Sequence, residues 1–303
     1  MNIEERLQNT PVVSGAIRLC DKILLPGFEG LSLYDLFKTY AIGIVKGTFS
    51  SRAGAISFSF FMAIFPFLLF VLNLIPYVPI ENFQDRFLDF IGDLMPSQTF
   101  DFFFPVIEDI AANPRGGLLS FVFILTLLVM ANGVNSIFSG FEYSFHVNIN
   151  RNFFRQYWVA LLVSIFLALL LLFTVVVAVY SEYLISMLKQ EDYISDEVVW
   201  ITAVRYFVFV LLVYMVVAVL YYFGVKDGRQ SRFFSIGALV TTLLFMLTTY
   251  LFGVYIDNFS NYNELYGSIG ALLIMMLYIW LNSNLLLLGF ELNASLRALK
   301  NKH

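Results

Sequence analysis

Seven polar residues stand inside runs of sequence that are otherwise almost wholly apolar: Arg52, Asn73, Asn132, Asn135, Glu142, Asn284 and Glu291. Arg52, Ser59, Pro66 and Asn73 follow one another at intervals of seven, which on a straight helix drifts by only about 20° per step. They therefore share one helix face. Asn132, Asn135, Ser136, Ser139, Glu142 and Tyr143 recur at helical spacing and make a second polar stripe. Asn284, Glu291 and Ser295 stack at i, i+7 and i+11, preceded by Asn282 and Ser283, and Thr241, Thr242, Thr248 and Thr249 add hydroxyls in another run.

Such residues can hold opposite charges, exchange hydrogen bonds or line a hydrated path. Pro66 would kink its helix and release a carbonyl. In lipid, an ionised group near mid-membrane costs about 2.5–3.5 kcal/mol on insertion scales unless it meets a partner or water. All seven residues are accordingly expected to face the interior of a bundle, as candidate cavity-lining or substrate-binding groups. The plainer role is interhelical hydrogen bonding, at roughly 0.6–2 kcal/mol per group. Charges near the membrane ends can also snorkel to the interface.

Other chemistry finds few residues to work with. The histidines are His146 and His303 and the only cysteine is Cys20, so neither an HExxH pair nor a Cys/His ligand cluster is available. Gly267-Ser268-Ile269-Gly270 superficially resembles a nucleophilic serine turn, but no second buried histidine or lysine is at hand to activate it. No phosphate-cradling Walker loop occurs, and every Asp falls in a connection or at the edge of an apolar run. An enzyme, a metal and an organic cofactor are therefore not expected. The net charge of −4 argues against nucleic acid as a partner, which would need a basic surface.

The elements that must position these residues are membrane helices. Of the 303 residues, 59% are hydrophobic and 13% charged, against roughly 25% charged in a soluble domain. Six apolar stretches reach membrane-spanning length, at about 54–77, 117–141, 156–183, 198–224, 233–256 and 266–290. Gly267, Ser268, Gly270 and Ala271 offer a small-residue surface in the last, whereas the third is nearly all Leu, Val and Phe and should face lipid. The expected fold is all-α, a bundle of six transmembrane helices over 54–293. A cytoplasmic segment, 1–53, would carry an interfacial helix over 31–50, and 294–303 would form a cytoplasmic tail. The long connection 78–115 repeats Phe and Ile at three-to-four spacing, and reads as an outer amphipathic helical segment. Arg205 is expected to pair with Glu182 or Glu197 near the outer surface.

Orientation follows from the retention of Lys and Arg in the cytoplasm. With the N-terminus inside, 14 of the 18 Lys and Arg fall in inner segments and three, Arg86, Arg115 and Lys189, in outer ones. Both termini are therefore expected in the cytoplasm, and the polar start MNIEERLQNT is not a secretory signal.

Three segments carry a family resemblance: RAGAISFSFFMAIFPFLLF from Arg52, NGVNSIFSGFEYSFHV from Asn132, and YGSIGALLIMMLYIWLNSNLLLLGFELNASL from Tyr266. Over roughly 35–300 the chain resembles the YihY/virulence factor BrkB family of bacterial inner-membrane proteins. The resemblance implies six membrane helices with cytoplasmic termini and supplies no settled activity. Some members have carried a ribonuclease label, which the acidic balance and the missing catalytic groups here oppose. The 78–115 connection departs from the family pattern in its Phe and acidic content.

The functional expectation is transport or flipping of a lipid or other amphiphilic envelope molecule, with membrane lipids as partners. A non-transporting scaffold for envelope assembly is the alternative. A continuous cavity reaching Asn132 and Glu291 would favour transport, and a dry, close-packed interior would favour scaffolding.

Overall fold

The computed structural model describes residues 48–74, 119–142, 152–190, 198–225, 233–258 and 268–300, together with 85, 88, 89, 92, 100, 104, 105, 108 and 109. Among the described residues there are six long helices and no strand: α1 (Thr48–Leu74), α2 (Leu119–Glu142), α3 (Phe153–Gln190), α4 (Val198–Gly224), α5 (Ile236–Asn258) and α6 (Ser268–Lys300). The expected interfacial helix over 31–50, the outer segment 78–115 and the side chains of Asn73, Arg205, Glu182 and Glu197 lie outside what is described, apart from the first turn of α1 and isolated positions.

Each helix packs on the next in chain order, and α6 returns to α1, so the six form a closed ring in which α2 also reaches α4 and α6. Helices are forced here because lipid offers the backbone no hydrogen-bond partner. By length and composition, α2 to α6 can each cross a membrane. α1, 27 residues long and apolar from Phe58 to Leu74 apart from Ser59 and Asn73, is long enough to do the same.

Several boundaries differ from the sequence reading: α1 begins at Thr48 rather than 54, α3 runs to Gln190 rather than 183, and α6 runs to Lys300 with no break at 294. Packing explains the first and the last, since Phe49 and Ala53 are buried at one end and Leu292 and Ala294 at the other.

The core lies at one end of the ring, here termed basal, where α1, α3 and α5 begin and α2, α4 and α6 finish. Phe49, Ile56, Phe138, Phe141, Val163, Val217, Tyr221, Ala238, Leu287 and Phe290 form one buried cluster there. The Phe141 and Phe290 rings stack at 4.1 Å, and Tyr221 meets Phe141 edge-on. At the opposite, distal end, Phe252, Ile256 and Ile274 make a small α5–α6 contact. The distal turns of α2 expose Phe121, Phe123, Ile124 and Leu125 around more than half of the helix circumference. Among the described residues the larger buried cluster thus lies at the base.

Candidate functional site

The heptad line on α1 lies against α2. The Arg52 guanidinium donates to the Gly140 carbonyl at 2.9 Å, the Ser59 and Ser136 hydroxyls meet at 2.7 Å, and Thr126 donates to the Pro66 carbonyl at 2.7 Å. Helix α1 continues through Pro66 to Leu74. Small residues let the two helices close: a β-carbon on Gly133 would stand 3.7 Å from Ala63 and from the Ser59 carbonyl.

At the basal end this seam becomes a three-helix junction. A β-carbon on Gly140 would come within 3.0 Å of Ile56 on α1 and 3.1 Å of Leu287 on α6. Arg52 is half-buried there, 4.8 Å from the Phe49 ring centroid and electrostatically coupled to Glu291 on α6. Glu291 is only 1% exposed. Asn284 stands seven residues before Glu291 on the same face of α6 and donates to the Trp280 carbonyl at 2.8 Å, while Trp280 reaches the Ser50 carbonyl on α1 at 3.4 Å. Arg52 and Glu291 thus meet where the first and last helices come together, with Asn284 two turns earlier on α6.

The second stripe divides. Ser136 turns to α1, whereas Asn135, Ser139 and Glu142 turn toward the start of α3. There the buried Gln156 side chain bridges them. In the amide orientation that satisfies both of its ends, its nitrogen donates to the two Glu142 oxygens at 2.8 and 3.0 Å, and its oxygen accepts from Ser139 at 3.2 Å. Asn132 departs from the expectation that all seven residues face inward. It is exposed, on the face that carries exposed Phe121, Leu125 and Leu128. The physical reason is that residues spaced by three and four wander over a wide arc of helix, so one stripe can serve α1, α3 and the outside together.

A third polar group, which spacing on a single helix does not reveal, fastens α4, α5 and α6. Tyr221, buried, donates to the Leu286 carbonyl at 2.7 Å, and the Thr241 hydroxyl lies 2.7 Å from the Tyr221 oxygen and 2.8 Å from the Gly237 carbonyl. Asn293 accepts from the Gly237 backbone N–H and donates to the Ser235 hydroxyl, both at 2.8 Å. Ser235 in turn accepts from the Ala238 N–H at 3.3 Å, the N-cap geometry that satisfies the free donors opening α5. Gly237 and Gly289 permit this crossing, because a β-carbon on Gly289 would overlap the Thr241 hydroxyl and one on Gly237 would meet the Asn293 side chain. Gln156, Tyr221 and Asn293 were not singled out by sequence reasoning. A polar side chain opening an apolar run, and Ser235 standing just before one, were the available signals.

Chemically these groups hold charge and exchange hydrogen bonds inside a membrane-embedded scaffold. The described helices and their polar seams define an all-α, multi-pass membrane protein. The chain belongs to the virulence factor BrkB family, whose model matches residues 44–303. A Bacillus subtilis relative named a ribonuclease-like protein, YfkH, is 30% identical over 88% of this chain and 96% of its own length. A UPF0761 membrane protein of Xanthomonas campestris is 24% identical, covering 82% of this chain and 57% of the relative. Another, from Idiomarina loihiensis, is 32% identical over 38% of this chain and 40% of the relative. No solved structure matches the chain.

Proposed function

We propose that this chain carries a lipid or other amphiphilic envelope molecule across the bacterial plasma membrane, without hydrolysis, and that its basal end and both termini face the cytoplasm. The observation that carries this reading is the coupled pair Arg52 and Glu291, with the carboxylate almost wholly buried at the meeting of α1 and α6. Ionisable groups are expensive within membrane helices, and those retained there commonly mark a pathway. An apolar pair of similar volume would hold two helices together as well or better. The α1–α6 junction is also where a ring of helices in chain order can part without straining a connecting loop. In this reading the pair is a latch, and parting it exposes both charges to a polar headgroup. The tightly packed base supports a state shut inward.

The second reading, a scaffold, has its own support in the dryness of the base, where Phe138 and Phe141 have 0% exposure. Flux in proteoliposomes separates the two. Wild type should move labelled phospholipid faster than protein-free vesicles, and Glu291→Gln, assayed below its own lowered unfolding temperature, should lose that flux. Equal flux in both proteins would remove the latch, and no flux from either would favour the scaffold.

A further inference from the structure

We infer that the face of α2 from Asn132 to Glu142, with the start of α3, is a laterally open track for the headgroup of a zwitterionic, amine-bearing phospholipid. This rests on the amphiphile reading and names the substrate class and the surface that holds its headgroup, on the outer face of α2, before the α1–α6 junction parts. Asn132 stands midway along the stretch Phe123–Glu142, the part of α2 suited to crossing a membrane. It is exposed, and no hydrogen bond joins it to another described residue. An amide in hydrocarbon needs a partner, so something outside the bundle must meet it.

The surroundings say what that is. Phe121, Leu125, Leu128, Asn132, Asn135, Ser139 and Glu142 recur every three or four residues and make one continuous line along α2. Its distal half is apolar and exposed, fit for acyl chains. Its basal half is polar and gathered round Gln156, whose amide the Glu142 carboxylate holds at 2.8 Å. Arg155, exposed, precedes Gln156 directly. The basal end of the line therefore carries both signs of charge, the Glu142 carboxylate and the exposed Arg155 side chain one position from Gln156, as does a headgroup that joins an ammonium to a phosphate. A singly anionic headgroup would match only the guanidinium. Tyr157, on the next position of α3, donates to the Leu128 carbonyl at 3.3 Å and ties the two helices beside the track.

The test uses the full-length protein in nanodiscs holding equal phosphatidylethanolamine and phosphatidylglycerol, with the lipids that stay on the protein after transfer to detergent identified by native mass spectrometry. Wild type should retain phosphatidylethanolamine preferentially. Asn132→Leu, a change on an exposed face that leaves packing intact, should lower that preference about three- to tenfold, the worth of roughly one net hydrogen bond, and Glu142→Gln should lower it likewise. A photoreactive phenylalanine at Leu128 should crosslink to lipid. Unchanged preference in both variants would overturn the track, as would a crosslinked dimer at Leu128, which would make the occupant a second copy of this chain. Flux distinguishes the two ideas: wild-type flux that survives Asn132→Leu undiminished removes the track and leaves transport, whereas selective phosphatidylethanolamine retention without any flux removes transport and leaves the track.

Discussion

Arg52 and Glu291 bring opposite charges into the bundle, one half-buried and one almost wholly buried. Removing one charge leaves the other in a dry junction, and breaking buried pairs in this way typically costs about 3–5 kcal/mol. Glu291→Ala should therefore destabilise strongly, and Arg52→Ala added to it should recover part of the loss. Thermal unfolding of the two single variants and the double variant gives a coupling energy, expected at about 0.5–3 kcal/mol; additive effects would mean that the two charges do not interact. The α1 line was legible in the sequence because a seven-residue interval keeps Arg52, Ser59 and Pro66 on one face, and each of them meets α2. Asn132 was misread because polarity alone does not tell which side of a helix is covered. Gln156 and Asn293 went unread because each acts through a partner on another helix, Glu142 and Gly237, and spacing within one helix says nothing of partners.

Among the elements, α4, α5 and α6 are fastened together by one shared group of hydrogen bonds. In lipid the association of helices rests on close packing and interhelical hydrogen bonds, and Gly289 lets both operate at once. Gly289→Ala would push a methyl into the Thr241 hydroxyl and to 2.6 Å from the Tyr221 oxygen. It should cost about 1–3 kcal/mol, the usual penalty of overpacking, with a lowered unfolding temperature in detergent. Gly253→Ala, where nothing lies within 4 Å of the added carbon, is the matched control. It should be neutral, or stabilising by up to about 1 kcal/mol through helix propensity. Equal losses at the two glycines would mean that the α5–α6 crossing is not the cause. The existence and approximate extent of all six helices were legible from apolar length alone. Their ends were not, because α1 and α6 extend past the apolar runs on the strength of tertiary packing at Phe49 and Ala294.

Orientation and movement belong to the whole molecule. The 14 Lys and Arg in alternate connections predict that single cysteines replacing Asn113, Gln190 or Asn261 react with an impermeant reagent from outside, while those replacing Asn150 or Asn301 do not. Labelling at Asn150 from outside would invert the basal and distal ends of the ring. The central claim is that α1 and α6 part to let an amphiphile through. Ser50 and Trp280 approach across that junction, with the indole N–H 3.4 Å from the Ser50 carbonyl, and the chain holds one native cysteine, Cys20. The most direct measurement is phospholipid flux through liposomes carrying the Cys20→Ser, Ser50→Cys, Trp280→Cys protein, before and after bridging the two thiols with a reducible bis-methanethiosulfonate crosslinker. Flux should stop when the bridge forms and return on reduction. Flux that continues through a fully bridged protein, or that never exceeds that of empty liposomes in the unbridged protein or wild type, would mean that α1 and α6 do not part.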